Sequence, residues 1–218
     1  MSITAIIPAY NEEKNIWSVL GVLLDSHIFS SIIVIDDGSK DSTGERTRAK
    51  GVRVITQENR GKGAAMIRGA EAADTEYIFF CDADVVGLRG EHLHALVDPV
   101  VAGKAAMTIG LRDRGFFLTW LLPHIAPLLG GERALSRSLF FAIVRTYGKN
   151  TLSDFGVETY MNAYCFSHEL FVIPMKMRGV TQVIKEKKYG FFAGFYARLR
   201  MIVQILHAEM QTIFPKKI

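Results

Sequence analysis

Cysteine is scarce in this sequence of 218 residues, which contains two, Cys81 and Cys165. Two thiols cannot build a disulfide scaffold, and the Cys and His residues lack the spacing of a zinc site. The segment Met1–Pro8 lacks the basic start and the cleavage site of a signal peptide. We therefore expect a cytoplasmic protein in a reducing compartment.

Unbroken apolar runs that could cross a membrane are also lacking. Gly115–Gly131 carries no charged residue over seventeen positions, but Pro123 and Pro127 interrupt it. We expect a buried or interfacial helix pair there, because a span needs about 20 apolar residues without such breaks. A seam between two copies of the chain, giving a homodimer, is a second interpretation of this stretch.

Charge is unevenly distributed around a net value of +4. Lys176–Ile218 holds nine Lys/Arg against two Glu, so the preceding residues are mildly acidic in sum. The basic tail is either a solvated helix face or a contact with phosphates or with the anionic inner face of a membrane. We expect no nucleic-acid partner, since no aromatic-basic recognition motif accompanies these residues. With 49% hydrophobic and 22% charged residues, the chain is neither disordered nor fibrous.

Short apolar runs alternate with helix-like periodic stretches as far as Leu111. The predicted strands are Ile3–Ala9, Ser31–Ile35, Val52–Thr56, Tyr77–Cys81 and Ala106–Leu111, and the predicted helices are Asn15–Leu24, Asp41–Lys50, Gly61–Ala73 and Glu91–Ala102. This alternation predicts an α/β protein with a mostly parallel sheet and helices on both faces. Later, apolar residues at helical spacing over Phe195–Ile213 predict an amphipathic helix, packed on the body or touching a membrane.

Polar clusters directly follow three of the predicted strands: Asn11-Glu12, Asp36-Asp37 and Asp82-Ala83-Asp84. Ligands of open α/β sheets bind at the carboxyl ends of the strands. Several carboxylates at one sheet edge require a cation or a donor-rich ligand. The D-x-D pattern of Asp82 and Asp84 suits one hard divalent cation, and a turn with capping aspartates is the alternative interpretation.

Two further segments suit parts of a nucleotide. In Asp36-Asp37-Gly38-Ser39, a carboxylate could accept the imide N–H of uracil or the N1–H of guanine, or it could cap the next helix. In Asn59-Arg60-Gly61-Lys62-Gly63-Ala64, glycines, two cations and a helix start together suit a diphosphate. Taken alone, this second segment would indicate only a turn.

Four motifs in this order resemble the family 2 glycosyltransferases: Pro8-Ala9-Tyr10-Asn11-Glu12-Glu13, Asp36-Asp37-Gly38-Ser39, Asn59-Arg60-Gly61-Lys62-Gly63 and Asp82-Ala83-Asp84. The resemblance implies a GT-A fold, a UDP- or GDP-sugar donor, and Mg²⁺ or Mn²⁺. It implies one domain over residues 1–218, with a nucleotide-sugar-binding half (1–111) and an acceptor-binding half that ends in the amphipathic helix (112–218).

The resemblance also implies a role for each motif. The base and ribose pocket would be lined by Pro8, Ala9, Tyr10 and Glu12, and the base would be bound by Asp36 or Asp37. The loop near the base and diphosphate would contain Gly61, Lys62 and Gly63. Asp82 would meet the ribose or the metal, and Asp84 would be the main metal ligand.

The second half has fainter similarities. Gly130–Arg137 resembles the acceptor-side segment of polyprenyl-phosphate sugar synthases and glucosyl-3-phosphoglycerate synthases; its Arg133 and Arg137 either hold an acceptor phosphate or face solvent at a helix start. Asp154–Glu158 resembles the acidic segment that follows. In an inverting enzyme Glu158, or next Asp154, would take the acceptor proton. In a retaining enzyme Glu158 would orient the sugar or acceptor instead.

We therefore expect a metal-dependent glycosyltransferase that acts on a small anionic or lipid-phosphate acceptor. His168 and His207 match no metal-binding pattern of such enzymes, so neither is a predicted ligand. A non-catalytic nucleotide-sugar-binding scaffold is the alternative from another class. A sugar-phosphate nucleotidyltransferase is disfavoured, because Pro8–Glu13 occupies the place of its glycine-rich loop.

Overall fold

The computed structural model describes residues 2–112, 130–152 and 156–182. The strands are β1 Ile3–Ala9, β2 Ser31–Asp36, β3 Arg53–Thr56, β4 Tyr77–Phe80, β5 Val85–Val86, β6 Met107–Arg112, β7 Arg133–Ser136, β8 Val172–Met177 and β9 Thr181–Gln182. The helices are α1 Ile16–Asp25, α2 Thr43–Ala49, α3 Lys62–Ala72, α4 Gly90–Val101, α5 Arg137–Tyr147, α6 Lys149–Leu152 and α7 Val157–Ser167. The predicted alternation of strands and helices up to Leu111 is confirmed.

A seven-stranded sheet in the order β3-β2-β1-β4-β7-β6-β8 forms the centre of the fold. Strand β7 runs antiparallel to both of its neighbours, β4 and β6, while the other pairs are parallel. A separate antiparallel ribbon joins β5 to β9. The mostly parallel α/β sheet that the sequence predicts is therefore confirmed, with one reversed strand inside it.

Both faces of the sheet are buried, which explains why its strands are almost continuous apolar runs. Alternate side chains of β1 point to opposite faces: Ile7 packs in one cluster with Leu20 of α1 and Leu93 of α4. Ile6 packs in the other cluster, with residues of α3, α5 and α7 such as Met66. Helix α3 lies so close to the sheet that an ideal Cβ on Gly69 would be 2.3 Å from Ile6 Cγ2.

The pairing register brings the first strand ends level with one another. Ala9 of β1 lies opposite Asp36 of β2, and Asp36 lies opposite Thr56 of β3. Strand β4 ends at Phe80, opposite Ile6. The polar segments after β1, β2, β3 and β4 therefore leave the same edge of the sheet, as the sequence predicts.

Candidate active site

The loops after β1 and β2 are tied to each other by hydrogen bonds. Asn11 accepts from the Lys40 N–H at 2.8 Å and donates its own N–H to Ser39 Oγ at 3.0 Å. The Glu12 N–H donates to Thr43 Oγ1 at 2.8 Å. Asn11 adopts a left-handed backbone conformation (φ 54°), which Asn tolerates better than most residues. The two loops that were predicted to surround the base thus form one connected unit.

The two aspartates at the end of β2 have different surroundings. Asp37 accepts from the Arg60 and Gly61 N–H groups, both at 2.9 Å, and from Gln57 Nε2 at 2.7 Å. It therefore holds the loop that leads into α3. Asp36 accepts from the Ser39 N–H at 3.0 Å, and an ideal Cβ on Gly44 would lie 2.7 Å from its Oδ2. Both carboxylates are buried.

Lys62 joins three elements that are distant in sequence. Its ammonium, at the start of α3, lies 2.7 Å from Asp82 Oδ1 and 2.5 Å from Glu158 Oε1. Asp82 follows β4, and Glu158 is in the first turn of α7. The side chains of the two acids are 14% and 13% exposed, so solvent screens the attraction only weakly. The structure thus brings together three residues that the sequence placed in separate parts of one site.

Two residues that the sequence analysis assigned no role complete this charged cluster. Arg112, the last residue of β6, donates from Nη2 to Asp82 Oδ2 at 2.6 Å. The same guanidinium donates from Nε to Glu132 Oε2 at 2.8 Å and from Nη2 to Glu132 Oε1. In the sequence, Arg112 follows the end of the predicted strand at Leu111, and Glu132 follows the pair Gly130-Gly131. Neither feature specifies which side chain the residue would contact.

The two predicted acceptor arginines do not share one environment. Arg133 begins β7 and is fully buried, donating to Gly130 O at 2.9 Å and Asn162 Oδ1 at 2.6 Å. Of the two interpretations of this segment, a solvent-facing helix start does not apply to Arg133, because the helix begins only at Arg137. Arg137 is partly exposed; its Nε donates to Ala70 O at 2.8 Å, and its guanidinium lies over the Phe141 ring.

Charges within the cluster shift its pKa values away from what burial alone would give. Burial by itself would raise the pKa of Asp82 and Glu158, but Lys62, with Arg112 or Arg133 respectively, lowers both. Burial opposes the charge on Lys62, yet the two acids raise the pKa of its ammonium well above the usual range. For the buried Glu132, the effect of burial exceeds the opposing effect of Arg112, and the pKa of its carboxyl is raised. Lys62, Asp82 and Glu158 are therefore ionised at neutral pH.

The remaining predicted pocket residues lie at the same edge. Pro8 and Ala9 end β1; Tyr10 is partly exposed, and the buried Glu12 accepts from Asn15 Nδ2 at 2.9 Å, next to the start of α1. Gly63 is buried in the first turn of α3. The buried Asp84 lies between β4 and β5.

Several predictions fall on parts of the chain that lie outside the described residues. They are the acid Asp154, most of the uncharged stretch Gly115–Gly131, the basic tail beyond Gln182 and the amphipathic helix over Phe195–Ile213. The homodimer seam and the membrane contact that depend on these segments stay predictions. Among residues 2–112, 130–152 and 156–182, no helix has both the length and the apolar character needed to cross a bilayer.

Residues 4–162 match the sequence profile of glycosyl transferase family 2. The chain belongs to this family. The matched range contains every site residue described above, from Pro8 to Glu158, so family membership and the geometry of the strand ends agree.

Two similar proteins are a glycosyltransferase without a stated substrate and a glucosyl-3-phosphoglycerate synthase. The chain is 41% identical over 149 residues to the uncharacterized glycosyltransferase YaiP of Escherichia coli K12, covering 63% of this chain and 37% of that protein. It is 30% identical over 118 residues to glucosyl-3-phosphoglycerate synthase of Mycobacterium tuberculosis, covering 50% of this chain and 36% of that protein. The chain thus matches little more than a third of the length of these relatives.

Solved structures of glucosyl-3-phosphoglycerate synthase share the GT-A fold of this chain. A crystal structure of the Mycobacterium tuberculosis glucosyl-3-phosphoglycerate synthase, in complex with Mn²⁺, uridine-diphosphate and phosphoglyceric acid, superposes with a TM-score of 0.77 at 22% identity. The match covers 99% of this chain and 80% of that one. At this identity the likeness establishes the fold.

The carboxylates present fit the divalent cation expected for family 2 only if a bound ligand completes the coordination. Within the described part of the chain, no group of three or more His, Cys, Asp or Glu residues could hold a metal ion. The D-x-D motif supplies two carboxylates, and Asp82 already contacts Lys62 and Arg112. Mg²⁺ commonly takes one or two carboxylates and fills its other positions with water and phosphate oxygens. The donor set therefore fits such an ion.

Proposed function

We propose that this chain is a metal-dependent glycosyltransferase that moves a sugar from a nucleoside diphosphate donor to a small anionic acceptor. The observation that carries the proposal is the ion-paired group of Lys62, Asp82 and Glu158, which gathers a diphosphate-loop lysine, the D-x-D motif and an acceptor-side acid at one sheet edge. A crystal structure of Mycobacterium tuberculosis glucosyl-3-phosphoglycerate synthase contains Mn²⁺, UDP-glucose and phosphoglyceric acid together, which supports the same combination here.

The donor base would lie between the connected loops after β1 and β2. Asp37 is engaged by three donors of its own loop. Asp36, with one such backbone bond, keeps more acceptor capacity for an imide N–H, so we assign base recognition to Asp36. Pro8, Ala9 and Tyr10 would form the wall of the pocket, and Asp37 would position the loop that carries Lys62.

Asp84, together with Asp82, would hold Mg²⁺ or Mn²⁺. Such an ion supplies Lewis-acid stabilisation of the negative charge that develops on the leaving diphosphate. Lys62, between the two acids, adds a fixed positive charge at the same place. Gly61 and Gly63 flank it without side chains, so that a phosphate can approach the backbone at the start of α3.

Glu158 suits the orientation of a sugar or acceptor hydroxyl better than proton abstraction. A general base works best when its pKa lies near the operating pH, and Lys62 lowers the pKa of Glu158 below its usual value. Arg133 anchors α7, the helix that carries Glu158, through Asn162. We therefore assign Arg133 a positioning role. The predicted acceptor contact of Arg137 is wrong, because Ser136 pairs with Tyr77 at the start of β4 and the Arg137 N–H donates to Glu76 O, at the end of the strand opposite Asp82.

The proposal is tested by donor binding and transfer. Thermal shift with UDP- and GDP-sugars, each with and without Mn²⁺, should show stabilisation by one donor, dependent on the metal. Transfer is then measured from the labelled donor to phosphoglycerate and, separately, to a polyprenyl phosphate. Asp84→Asn should abolish both signals with an unchanged circular-dichroism spectrum. Asp98→Asn, an exposed acid in α4, is the matched control and should behave like the wild type.

Each contrary result has a defined meaning. Metal-dependent donor binding without transfer to any acceptor would establish the non-catalytic binding protein instead. Transfer to polyprenyl phosphate alone would replace the small anionic acceptor by a lipid phosphate. Absence of any donor-dependent shift would overturn the proposal.

A further inference from the structure

A fully buried acid lies one guanidinium away from the D-x-D motif. The side chain of Glu132 is 0% exposed, and both of its carboxylate oxygens accept from Arg112, whose side chain is 4% exposed. The same Arg112 Nη2 reaches Asp82 Oδ2 at 2.6 Å. One guanidinium therefore bridges a fully buried acid and an acid of the proposed active site.

The backbone around Glu132 is packed directly against this bridge. An ideal Cβ on Gly131 would lie between 2.3 and 2.6 Å from three atoms of the Asp82 carboxylate group. An ideal Cβ on Gly130 would lie 2.0 Å from Gly110 O, and the Gly110 N–H donates to Glu132 O at 2.8 Å. The two glycines thus let the segment before β7 lie against Gly110 and against Asp82, closer than a residue with a Cβ could lie.

We propose that Arg112 and Glu132 are positioning residues for Asp82, and that Gly131 supplies the wall against which its carboxylate rests. Arg112 fixes Oδ2, so the carboxylate keeps one orientation. Glu132 balances the charge of Arg112, so the negative charge of Asp82 stays available to a ligand. The inference rests on the proposed function, since it assigns Asp82 a ligand-facing task.

The charges of the cluster show why a balancing acid is needed. The cations near Asp82 are Lys62, Arg112 and Arg133, and the neighbouring acids are Asp84, Glu132 and Glu158. Removing the acid of Glu132 would make the surroundings of Asp82 more positive, and a divalent cation would bind less well there. An unbalanced buried charge would also destabilise the fold.

Mn²⁺ affinity measures this effect without relying on turnover. Free Mn²⁺ is determined by electron paramagnetic resonance, with and without UDP. Glu132→Gln keeps the shape of the side chain and should weaken Mn²⁺ binding by roughly tenfold or more, the usual effect of changing a residue that supports a metal ligand. Glu71→Gln removes the acid of α3 that pairs with the exposed Lys149 of α6, and it should leave the Mn²⁺ affinity unchanged.

A double-mutant cycle separates positioning from general destabilisation. In an Asp82→Asn background, Glu132→Gln should have little further effect on Mn²⁺ binding, because the two residues act through one carboxylate. Should Glu132→Gln fold poorly, the double variant Arg112→Gln/Glu132→Gln restores charge balance and should melt at a higher temperature than Glu132→Gln. It should still bind Mn²⁺ more weakly than the wild type.

Gly131→Ala provides an independent arm, since it should displace the Asp82 carboxylate and weaken Mn²⁺ binding. Gly90→Ala, where an ideal Cβ meets nothing within 4 Å, is its control. Wild-type affinity in Glu132→Gln and Gly131→Ala, or equal losses with and without Asp82, would overturn the inference alone. A wild type that binds neither Mn²⁺ nor a donor would overturn the proposed function and this inference with it.

Discussion

Lys62→Met tests whether the centre of the site depends on one buried ammonium. Its Nζ lies 2.5 Å from Glu158 Oε1, and the two side chains are 22% and 13% exposed. The pair of Lys149 and Glu71 has the same 2.5 Å separation, but its side chains are 64% and 33% exposed. The two pairs therefore differ in burial at constant distance, and Lys149→Met is a matched control.

The expected losses of stability differ several-fold. Removing one partner of a buried pair costs about 3–5 kcal/mol, because the remaining charge is left without compensation. Asp82 keeps Arg112 and Glu158 keeps the attraction of Arg133, so we expect the lower end, about 3 kcal/mol, for Lys62→Met. An exposed pair contributes about 0–1 kcal/mol, which sets the expectation for Lys149→Met. Urea unfolding at about pH 7 measures both free energies.

The pH dependence of the free energy of unfolding provides a second test of Lys62→Met, with a predicted direction. In the wild type, the pKa values of Asp82 and Glu158 are lowered on folding, so their stabilising contribution is present above their ordinary values and lost as pH falls. In Lys62→Met, the effect of burial is no longer opposed by Lys62, and we expect it to raise the pKa of Glu158. Protonation of Glu158 at low pH then removes the uncompensated charge and reduces the loss of stability. The free-energy gap between wild type and variant should therefore be widest near neutral pH and narrow on acidification. A loss below about 1 kcal/mol, or a gap independent of pH, would refute the reasoning.

Two further predictions concern the frame that holds the site. Asp37→Ala should destabilise the protein by about 2 kcal/mol in urea unfolding, because backbone N–H groups at the start of α3 lose a charged acceptor; an unchanged midpoint would contradict the role given to Asp37. Gly69→Ala should cost about 1–3 kcal/mol, since its Cβ would meet Ile6 at 2.3 Å. Gly21→Ala in α1, where the space is open, should instead stabilise by up to about 1 kcal/mol, and equal effects at the two glycines would exclude the packing explanation.

Local sequence patterns were sufficient to predict most of the described fold. The strand predicted over Ser31–Ile35 extends to Asp36, and the helix predicted over Gly61–Ala73 spans Lys62–Ala72. Both have strong periodicity and clear polar ends, which depend only on neighbouring residues. The strand Arg133–Ser136 has no such pattern, because its first residue is a charged side chain buried by helices and strands distant in sequence.

The location of the site could be predicted from the sequence, but the contacts between its side chains could not. Strand-end polarity indicated that Asp82 would lie beside the loops after β1 and β2, since parallel strands end at one edge. Lys62 and Glu158 were implied for the site by the family resemblance. Strand-end polarity could not indicate that Lys62 contacts Glu158 across 96 positions of sequence. Strand-end polarity also could not reveal the ion pair of Arg112 and Glu132, because charged residues beside strands are usually exposed. The three-dimensional packing buries both of these side chains.

The balance of charges explains how such a site can exist before its ligands arrive. Uncompensated buried carboxylates would destabilise the fold, whereas here Lys62 is ion-paired with Asp82 and Glu158, and Arg112 with Asp82 and Glu132. If Lys62 binds the donor diphosphate as proposed, the diphosphate competes with Asp82 and Glu158 for the same ammonium. We then expect donor binding to exchange ion-pair partners, with an affinity that depends on how firmly Arg112 and Glu132 hold Asp82 in place.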